Sequence, residues 1–168
     1  MAKPKYDLEM FTIDLRDAFR NNLNAKITEV NAEKNTDTPE SADDFTINTI
    51  RTTDWYMNQV PQVWNSNQFI VYGIMDLKVD QPQETTFQLR PTFFIEVVIP
   101  DRGEVLLESA IYKLFRYTRC LWEVSNENYD KFRHYGKIKV DSLPPAMIEV
   151  DGKRLRTAGI AVTASWFV

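Results

Sequence analysis

Two long alternating runs, joined by a turn, limit what this chain can fold into. Phe69, Val71, Gly73, Met75, Leu77 and Val79 alternate with Ile70, Tyr72, Ile74, Asp76 and Lys78. A second run from about Thr85 to Ile99 places Phe87, Leu89, Phe93, Ile95, Val97 and Ile99 on one face. Asp80-Gln81-Pro82-Gln83, between them, is turn chemistry. Successive strand side chains point to opposite faces, so a period of two over this length is a β-hairpin. Pro91 has no N–H to give to a ladder and marks an edge or a bulge in the return strand.

The chain closes on a second hairpin. Met147-Ile148-Glu149-Val150 runs into Asp151-Gly152, a pair suited to a two-residue turn whose positions both need positive φ. From Leu155 to about Phe167, Ile160, Val162, Ala164 and Trp166 alternate with Gly159, Ala161, Thr163 and Ser165. Ile138 and Val140 form a short strand upstream, which Pro144-Pro145 should break from the next.

Helical spacing appears twice. Leu8, Phe11, Leu15, Ala18, Phe19 and Leu23 form one stripe, which Asn21, Asn22 and Asn24 are expected to end. Ile27-Thr28-Glu29-Val30 then reads as a short strand. After Pro100, Asp101 with Glu104 has the spacing of a reciprocal cap. Val105, Leu107, Ala110, Ile111, Leu114, Thr118, Leu121 and Trp122 follow on one face, and the helix should end near Ser125-Asn126. Residues 31–48 are polar and acidic, with Pro39 among them, and read as a long mobile loop. The polar character persists to residue 66, now with Trp55, Tyr56 and Trp64. The expectation is an α+β fold in a single domain over 1–168: a mainly antiparallel sheet, two principal helices on one face, and a long polar loop or insertion at about 31–66.

Several function classes lose ground on composition. The net charge of −4 and the lack of a basic run disfavour tight duplex binding, which draws its affinity from phosphate neutralisation. No apolar run approaches the roughly 18–20 residues of a bilayer span. The start of the sequence lacks the apolar segment of a signal peptide and Cys120 is the only cysteine, so a cytoplasmic product is expected. His134, the one histidine, lies in a polar-aromatic connector, and one His with one Cys cannot build a zinc site of the usual nitrogen and sulfur ligands. No metal or cofactor is expected. Asp76 and Lys78 on one strand with Glu96 on the next loosely resemble the acid and lysine set of metal-dependent nucleases, where two carboxylates share a magnesium ion. The competing expectation is that they line the solvated face of a half-buried hairpin.

Other features favour assembly. Trp55, Tyr56 and Trp64 in a polar region are candidate interface anchors. Gly159, Ala161, Thr163 and Ser165 form a small-residue face open to close packing. Pro91 suggests an interrupted edge that a neighbouring copy or a loop could cover.

The run Phe93-Phe94-Ile95-Glu96-Val97-Val98-Ile99-Pro100, followed by Leu106-Leu107-Glu108-Ser109-Ala110-Ile111-Tyr112 on a helix, resembles the tail terminator proteins of long-tailed bacteriophages. The closing strand Thr157 to Trp166 is similar to that family's last strand. The resemblance follows element order over most of the chain. It implies a homo-oligomeric ring, usually of six subunits, seated on the last ring of tail tube protein in the tail-neck region of the virion. Such a ring stops tube growth and offers its other face to a head-side connector. DNA would pass through the channel without specific binding, and no catalytic residue is implied. Another neck, head-completion or baseplate protein of like topology is the alternative.

Overall fold

The computed structural model describes residues 7–37, 46–64, 66–101 and 107–167, with no side chains for 34–37 and 107–109. In chain order come α1 (Leu8–Asp37), β1 (Trp55–Met57), β2 (Phe69–Gln83), β3 (Thr86–Pro100), α2 (Leu107–Glu127), α3 (Tyr129–Phe132), a 3-10 turn at Arg133–Tyr135, β4 (Lys139–Val150), β5 (Lys153–Thr163) and β6 (Trp166–Phe167). The sheet runs β1-β2-β3-β5-β4, with β6 on β3. Among the described strands only β1–β2 pairs in parallel, and a single parallel bridge joins Gly136 to Ser165. The α+β class expected from the sequence is the one observed.

The first correction concerns α1, which runs unbroken for 30 residues where a stop and then a strand were expected. Asp7 caps it, its Oδ1 accepting the Met10 N–H at 2.7 Å. Phe11, Leu15, Phe19, Leu23, Ile27 and Val30 are all buried, so Ile27 and Val30 extend the helical stripe and do not begin a strand. The asparagines do not end the helix: Asn22 bonds back to the Ala18 carbonyl within it, and Asn24 serves another segment. Asn24 Nδ2 donates to the Ile50 carbonyl at 2.9 Å, and its Oδ1 accepts the Ile50 N–H at 2.8 Å. Two turns later Asn31 treats Ile47 the same way, at 2.8 and 3.1 Å. Tyr117 of α2 completes the arrangement, its hydroxyl donating to the Asn48 carbonyl at 2.7 Å and accepting the Asn48 N–H at 3.0 Å. Burial pushes that phenol well above its ordinary pKa, which keeps the donor proton in place.

This arrangement overturns part of the long-loop expectation. Residues 31–37 are helical, and 46–50 are pinned with Ile47 and Ile50 in the core. Residues 38–45 lie outside the described ones. Replacing Asn24 with alanine should cost about 2 kcal/mol, since each peptide group left without a partner costs about 1–3 kcal/mol and water reaches part of this site. Urea denaturation measures it, and an unchanged midpoint would show that the amide clasp contributes nothing.

The helices cover one face of the sheet. Ile70, Tyr72, Phe93, Ile95, Val97, Ile160 and Val162 meet the α1 stripe and the inward face of α2. That inward face comprises Ala110, Leu114, Tyr117, Cys120, Leu121 and Val124. Trp122, expected among them, points outward. The cap expected of Asp101 and Glu104 involves residues outside the described ones. Asp101 itself is tied to β5, through its N–H to the Arg154 carbonyl and its carboxylate to Arg156 at 3.3 Å. On the other face Phe69, Val71, Val98 and Leu155 form a smaller cluster under Tyr56, Val60 and Trp64.

Two further departures are β-bulges. Pro144 and Pro145 do not break β4, which continues across them with a register shift between Leu143 and Ala146. β4 is an edge strand, so the missing N–H groups need no partner there. In β2 the register with β3 shifts between Ile74 and Asp76. Ile70, Tyr72 and Ile74 face the helices before the shift. After it, Leu77 opposite Pro91 and Val79 opposite Leu89 take that side. The expected single alternation from Phe69 to Val79 therefore changes face at Met75. The Asp151-Gly152 turn is as expected, with φ of 51° and 74°.

Candidate assembly interface

The nuclease-like residues are not brought together. Asp76 pairs with Thr92, and Glu96 sits between Val71 and Gly159. Four residues of strand separate the two positions, about 13 Å at the usual rise. Lys78 lies farther out, opposite Arg90. Among the described residues no group of three His, Cys, Asp or Glu could hold a metal ion. Asp76 is exposed, as a solvated face requires, but Glu96 is half-buried and desolvation raises its carboxyl pKa. His134 stands 3.8 Å from Asp14 and tilts over Tyr135, whose hydroxyl donates to the same carboxylate. Cys120 is fully buried, and burial pushes its thiol up to about 12, far from the thiolate a nucleophile needs.

The aromatics expected as interface anchors are half-buried and have partners inside the chain. Trp55 packs against the main core, 6.2 Å from Tyr72. Tyr56 and Trp64 flank Phe69 at 5.7 and 5.5 Å, and Lys153 Nζ lies 4.6 Å over the Trp64 ring. The small residues of the closing strand are likewise used within the fold. A Cβ on Gly159 would stand 1.9 Å from the Ile95 carbonyl oxygen. Ala161 is buried, Thr163 Oγ1 is 3.2 Å from that of Thr92, and Ser165 Oγ accepts from Gln88 Nε2 at 2.8 Å. Pro91 is not at a sheet edge. It sits on the interior strand β3, where β5 has ended and β6 has yet to begin, and its carbonyl accepts the Ala164 N–H at 3.1 Å. Ala164 and Ser165, which join those strands, interrupt the ladder there and spare proline a donor.

The case for an interface rests instead on surfaces the sequence pattern did not single out. β2 and β3 each have 15 residues, more than twice the common strand length of about 5–6. β5 accompanies β3 only from Thr92 onward, and beyond that point β3 meets just the two residues of β6. The distal hairpin, roughly 75–90, is therefore an arm beyond the main sheet. Its charged side carries Asp80 and Arg90, paired at 3.0 Å. Its other side continues the face that meets the helices, yet Leu77, Val79 and Phe87, with Met75 at the bulge, are 40–54% exposed.

A second apolar surface lies on α2. Tyr112, Phe115 and Trp122 point away from the core and are 44–56% exposed. Their spacing of three and seven keeps them on one side of the helix, with Arg119 filling the gap and bonded to Glu33 and Glu123. Contiguous exposed apolar side chains of this kind mark interaction surfaces, and aromatics with Met and Arg are the types enriched there. The arm was legible in one respect, since alternation over 15 residues outruns the sheet that could cover it. No protein-family model matches this chain, and no curated protein matches its sequence.

Proposed function

We propose that this protein is a structural subunit of a bacteriophage tail terminator, a ring that caps the tail tube, ends its polymerisation and joins it to a head-side connector in the virion neck. The observation that carries the reading is the arm, which holds an apolar face beyond the reach of its own core. A monomer gains nothing from exposing Leu77, Val79 and Phe87, whereas a subunit that lends them to a neighbour buries them. The order of helix, long hairpin, helix and closing hairpin is the arrangement on which the resemblance to terminators rests. A ring assembled in the host cytoplasm around passing DNA also suits a net charge of −4, which gives a polyanion little to adhere to. Another neck or baseplate protein would use the same arm, and the tube distinguishes them.

Light scattering of the purified chain over a range of concentrations, with electron microscopy of purified tail tubes mixed with it, tests the proposal. The expected result is a closed oligomer of one stoichiometry, seated at one tube end and blocking further growth. A protein that stays monomeric at every concentration and ignores tube ends would sink it.

A further inference from the structure

We propose that the cleft between α2 and the pinned segment at 46–50 binds a small carboxylate on a short aliphatic stem, with Lys113 as its counter-ion. The site goes beyond the ring reading and does not depend on it. The cleft holds about 270 Å³, and its walls come from four parts of the chain: Asn48, Asn67 ahead of β2, Ile99 of β3, and Ala110, Lys113 and Tyr117 of α2. Spacings of three and four put the last three on one side of the helix. The walls are fixed before any ligand arrives. Tyr117 holds both peptide groups of Asn48, Asn31 holds those of Ile47, and Gln68 Nε2 donates to the Thr49 carbonyl at 3.2 Å. A preformed cleft spends little entropy on ordering itself around a ligand.

Charge sets the sign of the ligand. Lys113 is half-buried, and its ammonium has no hydrogen bond or ion pair to any described residue. No carboxylate is among the residues lining the cleft, and burial keeps the Tyr117 phenol protonated. Asp101, next along the chain from the lining Pro100, gives its carboxylate to Arg156. The ammonium is therefore left to pair with an anion from outside. The side-chain amides of Asn48 and Asn67 make no hydrogen bond to a described residue and add neutral donors. Ile47, Ile99 and Ala110 supply an apolar wall. One cation, neutral donors and an apolar wall suit a monoanion with a hydrocarbon stem. A phosphate dianion is better served by an arginine fork or a nest of backbone N–H groups, and neither lines this cleft. Size limits the stem: at roughly 30 Å³ per water the cleft displaces about nine waters, room for an acid of about four or five carbons.

Titration of the 15N-labelled protein at constant ionic strength, followed by its amide resonances, tests the site. Butyrate is the probe, with inorganic phosphate and butylamine as controls on the parent, and Lys113→Met and Lys113→Arg as variants. The expected result is saturable shifts at 46–48, 67–68 and 110–117 with butyrate. The dissociation constant should rise at least tenfold in Lys113→Met and stay near the parent value in Lys113→Arg, with melting points unchanged. A glutamate side chain of a neighbouring protein carries the same group, so N-acetylglutamate α-amide is titrated in parallel. Binding at least as tight as that of butyrate assigns the site to such a side chain, and weaker binding assigns it to a free acid. No saturable shift at the cleft, or equal affinity for butyrate in Lys113→Met, would overturn the proposal. So would phosphate or butylamine binding there as well as butyrate, a result that needs no variant to be read.

Discussion

Replacing Gly159 with valine should leave no folded domain to study. Gly159 lies in β5 opposite Glu96 of β3, at the centre of the sheet. The atoms a Cβ would strike are the Ile95 carbonyl oxygen at 1.9 Å and the Glu96 Cα at 2.8 Å, so backbone and not a flexible side chain must give way. Overpacking a core usually costs about 1–3 kcal/mol because side chains can shift. Here two strands would have to part across the pairs that seat Ile95 and Ile160 in the core, and the cost should exceed that range. Against a total stability of about 5–15 kcal/mol for an ordinary domain, Gly159→Ala should cost about 3 kcal/mol or more, and valine more still. Circular dichroism melts of both variants measure this. A native melting point for Gly159→Ala would mean that the strands rearrange at little cost.

The second large effect should fall on association and not on folding. Leu77→Asp and Val79→Asp place a carboxylate on the exposed apolar side of the arm, where the side chain already meets water. Surface changes of this kind usually stay within about 0.5 kcal/mol of the parent, so melting should hardly move. If the arm supplies a central contact, removing one anchor costs about 2 kcal/mol or more in binding, roughly thirtyfold in affinity. Sedimentation of each variant beside the parent reads that loss. Full assembly by both variants would remove the arm from the interface. Trp55 and Trp64 are poorer probes of assembly, because their packing on Tyr72 and Phe69 ties them to the fold itself.

Much of the framework could be read from the residues, for a physical reason in each case. Period-two alternation in β2, β3 and β5 reports a half-buried strand directly, and Asp151-Gly152 reports its turn because few other pairs tolerate two positive φ values. The continuation of α1 was hidden because asparagine is judged by its local habits, and its local habit is to end helices. Asn24 and Asn31 are held by peptide groups 26 and 16 residues away, and no window of sequence shows that. Pro144-Pro145 misled for a similar reason: the cost of proline depends on whether the strand is an edge, which is a property of the whole sheet. Among the assembly residues, spacing alone could not distinguish a small residue that makes room for a partner from one that makes room for its own neighbouring strand. Gly159 is of the second kind.

The bulge at Met75 has a consequence for geometry at larger scale. One extra residue in a strand bends it and tightens its twist, so the arm leaves the sheet at an angle that this irregularity helps to set. In a ring held by arms, the direction of each arm fixes where the next subunit stands. A circle of identical units closes only when the rotation per step divides a full turn into a whole number. In such a ring the affinity would reside in apolar arm residues such as Leu77 and Val79, while the subunit count would reside in the kink behind them. The same apolar side chains carried on a straighter hairpin would still bind, but they would count to a different number or wind into an open spiral that never meets its own beginning.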